Sequence, residues 1–79
     1  MSSVEIIDLR YEDYSCRGNA VDYLIEALRG FEKGDKVRIL ADSGGLPLRI
    51  LKYIVRLRGF KILESREEGG VSYVLAIKE

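Results

Sequence analysis

The spacing of apolar residues along this chain switches between a two-residue and a three-to-four-residue period, and glycine stands at most of the switches. Alternation suits a half-buried strand, whose successive side chains point to opposite faces of a sheet, whereas recurrence at three and four marks one side of a helix. Val4 to Arg10 is aliphatic and β-branched enough for a first strand. Val21, Leu24, Ile25 and Leu28 then recur at helical spacing, with Asn19 as N-cap and Asp22 supplying early negative charge. Gly30 reads as a left-handed C-terminal stop, with Phe31 packing back on the last turn. After a turn at Glu32-Lys33-Gly34-Asp35, Val37, Ile39 and Ala41 alternate with Lys36, Arg38 and Leu40 in a second strand, which breaks at Ser43-Gly44-Gly45. Pro47 suits the first turn of a second helix, whose apolar stripe of Ile50, Leu51, Ile54, Val55 and Leu57 runs to Gly59, with Arg49, Lys52 and Arg56 on the opposite side. Phe60 to Ser65 reads as a third strand, Glu67-Glu68-Gly69-Gly70 as a hairpin turn, and Val71, Tyr73, Leu75 and Ile77 as the alternation of a fourth.

The order strand, helix, strand, helix, strand, strand constrains the fold strongly. Right-handed crossovers put both helices on one face when successive connections move the same way across a sheet, and the final hairpin supplies an antiparallel pair. The expected architecture is therefore an α/β (α+β) two-layer sandwich of βαβαββ order, a four-stranded mixed sheet with two helices on one face. The order of strands within that sheet does not follow from the sequence.

With 79 residues the chain reads as a single domain over residues 1–79. A domain this small buries only roughly 60% of its unfolded surface, so chemistry is expected near the surface rather than in a deep site. The chain contains no histidine and one cysteine, Cys16, which excludes a histidine-based triad, a histidine metal site and an internal disulfide. Thirteen basic residues balance thirteen acidic ones, so no global field draws the chain to nucleic acid or an anionic membrane. No apolar run is long enough for a signal peptide or a membrane span, and a cytoplasmic location is expected. Gln is absent, Asn19 is the sole asparagine and Arg outnumbers Lys, a composition leaning toward a heat-adapted source.

The quoted residues, taken in order, resemble the small sulfur-carrier proteins of the TusA/SirA type over essentially the whole chain. Asp8-Leu9-Arg10 is similar to that family's opening motif, and Lys33-Gly34-Asp35 with Val37 to Asp42 to its turn and second strand. Gly59-Phe60 and Gly70-Val71-Ser72-Tyr73 leading to Ile77-Lys78 resemble its closing hairpin. The family's Cys-Pro-x-Pro stretch corresponds to Cys16-Arg17-Gly18-Asn19, without either proline, and a gapless count back from Gly34 puts Arg17 on the usual cysteine position. The resemblance implies a carrier that accepts sulfane sulfur as a persulfide on Cys16 and hands it on by exchange between sulfurs, with no metal or cofactor. Its implied partners are sulfur-donor and sulfur-acceptor proteins.

A thiolate near a helix N-terminus is stabilised by free backbone N–H groups, and the adjacent Arg17 adds to that, so an activated Cys16 is chemically reasonable. The competing reading makes Cys16 a small apolar residue filling space beneath the loop. Charge is concentrated in residues 36–63, which hold seven bases and one acid. Arg49, Lys52 and Arg56 are candidate binding residues for an acidic protein surface; no stacking aromatics of an RNA-binding motif accompany them, so nucleic acid is the weaker partner class. Their competing reading is the solvated face of an amphipathic helix. Asp42 is expected to cap its turn or orient the loop near Cys16. Ser43-Gly44-Gly45 reads as an ordinary turn or, less specifically, an anion cradle, and Tyr11, Asp13, Tyr14 and Ser15 as a polar aromatic loop beyond the first strand. Two functions stay open: a sulfur carrier, and a non-catalytic binding or regulatory module on the same fold.

Overall fold

A computed structural model describes residues 4–10 and 20–79. The elements are β1 (Val4–Leu9), α1 (Ala20–Ala27), β2 (Lys36–Asp42), α2 (Leu48–Leu57), β3 (Phe60–Glu68) and β4 (Val71–Lys78), with a 3-10 turn at Leu28–Gly30 after α1. They build the expected two-layer α+β sandwich around one four-stranded mixed sheet of order β1-β2-β4-β3. β1 and β2 are parallel, Leu9 beside Ala41, and β4 runs antiparallel to both of its neighbours. The connection through α2 therefore passes over β4 to reach the sheet edge. Among the described residues no helix is long and apolar enough to cross a membrane.

Between helices and sheet lies one core. β1 contributes Ile7 and Leu9, β2 contributes Val37, Ile39 and Ala41, and β4 contributes Val74 and Ala76. From the other layer come Leu24, Leu28, Leu51, Ile54 and Val55, with Leu46 and Phe60 closing the two ends. α1 lies against β1, and α2 against β3 and β4. Ser72 is the one buried polar residue among those described, and its hydroxyl donates to the Leu46 carbonyl at 3.1 Å, stitching β4 to the turn before α2.

Several local expectations change. Gly30 does not adopt positive φ. It ends a 3-10 turn rather than a left-handed cap, and Phe31 packs its ring edge against Phe60 at 5.6 Å between centroids. The left-handed stop appears instead after α2, where Gly59 has φ 89°. Pro47 precedes α2 as its N-cap residue, its carbonyl accepting from the Ile50 and Leu51 N–H groups. β3 runs three residues further than Ser65 because the hairpin turn is only Gly69-Gly70, both at positive φ as a tight two-residue hairpin loop requires. A bulge between Ile62 and Glu64 interrupts β3, which lies at the sheet edge, where bulges discourage further strand pairing. Asn19, the expected N-cap of α1, lies outside the described residues.

The largest departure concerns which faces are apolar. In β4 the core-facing set is Ser72, Val74 and Ala76, while Val71, Tyr73, Leu75 and Ile77 point to the face without helices. In α2 only Leu51, Ile54 and Val55 are buried; Ile50 and Leu57, placed in the core stripe by periodicity, are 39% and 62% exposed. Of the five apolar positions in the expected α2 stripe, the sheet therefore covers three.

Candidate functional site

Because β1 and β2 are parallel, their C-terminal ends emerge side by side. Residues 11–19 join the end of β1 to the start of α1, so this connection leaves the sheet at the end where β2 hands over to the turn before α2. The predicted sulfur-bearing Cys16, its neighbour Arg17 and the loop of Tyr11, Asp13, Tyr14 and Ser15 all lie in that connection, outside the described residues. What is described is the framework at its base.

Asp8 and Arg10 form the β1 side of that framework. The Arg10 side chain clasps the Asp8 carboxylate with two hydrogen bonds, Nε to Oδ1 at 2.9 Å and an NH2 nitrogen to Oδ2 at 2.7 Å, and the Arg10 backbone N–H donates to Oδ1 at 3.0 Å. The side-chain hydrogen bonds from Arg10 hold the Asp8 carboxyl below its ordinary value, against an opposing effect of partial burial. The outcome is a locked ion pair where the chain leaves the sheet.

Asp42 forms the β2 side. Its Oδ1 accepts from the Gly44 N–H at 3.0 Å, and its backbone carbonyl accepts from Gly45 and Leu46 at 3.0 and 2.8 Å. Asp42 thus caps the turn, one of the two roles expected of it. The Ser43 N–H goes to the Gly70 carbonyl at 2.9 Å. With the N–H groups of Ser43, Gly44 and Gly45 all engaged within the protein, this is a structural turn and not an anion cradle.

The basic candidates sit elsewhere, along the outer side of α2. Arg49 and Arg56 are exposed and Lys52 is half-buried. Beside them runs a second stripe that sequence reasoning missed: Ile50, Tyr53 and Leu57, with Tyr53 61% exposed. Their spacing of three and then four is visible in the sequence, but Ile50 and Leu57 fit the expected core stripe equally well and Tyr53 lies outside it. α2 therefore presents an apolar ridge flanked by cations and carries no acidic residue. The C-terminal end of α2 is tied down by Lys78, whose Nζ donates to the Arg58 carbonyl at 2.8 Å and lies 5.3 Å from the centre of the Phe60 ring.

Two separate regions result: the carboxyl ends of β1 and β2, from which the Cys16 segment springs, and the outer side of α2, whose first turn follows the Asp42 cap. No family model matches the chain, and the searches of curated proteins and of solved structures returned no match.

Proposed function

We propose that the chain is a cytoplasmic sulfur carrier of the TusA/SirA kind, relaying persulfide sulfur through Cys16. The observation that supports this reading is the topology. A βαβαββ chain with parallel β1 and β2 sends its first connection out from the carboxyl end of the sheet, the region where α/β folds commonly hold their functional groups. In the proposed step the Cys16 thiolate attacks the outer sulfur of a donor persulfide, a new S–S bond forms on Cys16, and the donor leaves as its thiolate. Arg17 and the start of α1 stabilise the anionic persulfide, and the basic outer side of α2 docks donor and acceptor proteins.

The test is intact-protein mass after incubation with a cysteine desulfurase and cysteine. A gain of one sulfur on wild type, absent from Cys16→Ser and reversed by reductant, is expected. Failure to gain sulfur, together with a Cys16 inert to alkylation in the folded protein, overturns the reading.

A second reading, a binding or regulatory module that has lost the chemistry, is favoured by the α2 ridge. An apolar stripe flanked by cations suits an amphipathic acidic segment of a partner protein, with or without a reactive thiol. Under that reading Arg49→Glu with Arg56→Glu abolishes partner binding, Cys16→Ser leaves it intact and the wild type gains no sulfur; because docking on α2 is common to both readings, the sulfur gain separates the two.

A further inference from the structure

The helix-free face of the sheet carries a run of apolar side chains along its central strand, beside charged residues of its neighbours. Its central strand β4 contributes Val71, Tyr73, Leu75 and Ile77, β2 adds Leu40, and the edge strand β1 adds Val4 and Ile6, the last 63% exposed. A sheet with one solvated face is expected to alternate apolar-in and polar-out. β4 is largely apolar on both sides, keeping serine, valine and alanine inside and its bulkier side chains outside.

Strand register arranges the charges on this face in a gradient. At the end where β2 starts lie Lys36, paired across the sheet with Ile77, and Lys61 beyond it. The next rank holds Arg38, Leu75 and Glu64; the one after holds Asp8, Leu40, Tyr73 and Arg66. At the far end lie Asp42, Val71 and Glu68. Arg66 leans over the Tyr73 ring at 5.0 Å, and Leu40, Arg66, Glu68, Val71 and Tyr73 border a shallow hollow.

We infer that this face pairs with the same face of a second copy, about a two-fold axis lying between the sheets and across the strands. That operation keeps each strand opposite its own counterpart and reverses its direction. Lys36 then meets Asp42 of the second copy, Lys61 meets Glu68, Glu64 meets Arg66, and the apolar residues of β4 meet one another as Leu75 with Tyr73 and Ile77 with Val71. The other two-fold, parallel to the strands, brings like-charged ends together and is disfavoured. The same operation sets Arg38 over Leu40 and Ile6 over Asp8, pairs that add nothing, so the self-match an isologous dimer requires is carried by Lys36 with Asp42, the two β3 pairs and the apolar residues of β4. Four strands at ~4.8 Å by about eight residues at ~3.3 Å cover on the order of 500 Å² per copy. A pair therefore hides roughly 1,000 Å², the lower bound for a specific interface, and the dimer is weak and concentration-dependent. The inference does not depend on the sulfur-carrier reading, since it rests on the charges and apolar residues of this face, of which only Asp8 and Asp42 also belong to the framework at the base of residues 11–19.

Sedimentation velocity on the full chain, with reductant present to exclude a Cys16 disulfide, tests it. From about 10 µM to 1 mM the wild type is expected to shift from monomer to dimer, and to shift back in high salt as the end charges are screened. Lys36→Glu with Lys61→Glu makes both ends of the face acidic. Asp42→Asn with Glu68→Lys tilts both ends toward basic while keeping the oxygen that caps Gly44. Each double variant alone is expected to be monomeric, and an equimolar mixture of the two to pair again. A wild type that stays monomeric throughout, or a mixture that does not pair, overturns the proposal, the former leaving the face to a different protein.

Discussion

At the residue scale, two side chains carry more than their exposure suggests. Asp8 is held by Arg10 at the exit from β1, and its carboxyl is depressed by that contact below the ordinary 3.8. A depressed carboxyl stabilises the fold above its unfolded pKa and loses that contribution as pH falls through the folded value. Both partners are partly exposed, so Asp8→Asn is expected to destabilise by less than about 1 kcal/mol at neutral pH. Denaturant melts of wild type and variant should converge near pH 2, and a gap persisting there would contradict the assignment. Gly59 sits at φ 89°, and a Cβ there would lie 2.9 Å from the Lys78 Nζ that caps the Arg58 carbonyl. Gly59→Ala is therefore expected to destabilise by about 1–3 kcal/mol, from left-handed strain plus displacement of that lysine. Gly30→Ala, at a position with open space and no positive φ, is expected to be neutral or to stabilise by up to ~1 kcal/mol. Thermal melts of the two alanine variants provide the comparison.

At the element scale, α2 shows how a periodic pattern under-determines burial. Five apolar positions mark a stripe wider than the surface the sheet offers, and the side chains at its margins end outside. Leu51→Ala is expected to destabilise by about 2–5 kcal/mol, as for a fully buried leucine. Leu57→Ala should change stability by less than ~0.5 kcal/mol, as an exposed position does. Equal losses in urea melts would show the helix to be rotated from the orientation described. The strands were more legible: alternation located β2 within a residue at each end, and Gly69-Gly70 marked the hairpin. Alternation cannot say which of the two sets in β4 faces inward, because both are largely apolar. The packing of α2 on β4 decides, and it covers Ser72, Val74 and Ala76.

At the scale of the whole molecule, three surfaces have separate fates. The carboxyl end of β1 and β2 supports the segment with Cys16, the outer side of α2 offers cations beside an apolar ridge, and the open sheet face complements itself. The first and third share Asp8 and Asp42, so a variant that spares both separates the two proposals. Lys36→Glu with Lys61→Glu should abolish dimerisation yet leave sulfur loading of Cys16 unchanged, measured by intact mass on the monomeric variant. Loss of loading in that variant would mean that the open face and the thiol act together.

The sequence by itself determined the element order, the two-layer class, the turn glycines at Gly59 and Gly69-Gly70, and the residue types from which any chemistry must be drawn: one thiol, no imidazole, and a basic middle segment. These follow from local preference and periodicity, which act over a few residues. Tertiary structure alone decided the strand order β1-β2-β4-β3, the engagement of the Ser43-Gly44-Gly45 N–H groups, the exposure of Ile50 and Leu57, and the outward turn of the larger β4 side chains. Each depends on which distant segment lies opposite, and that is set only when the helices compete for the limited area of one sheet face.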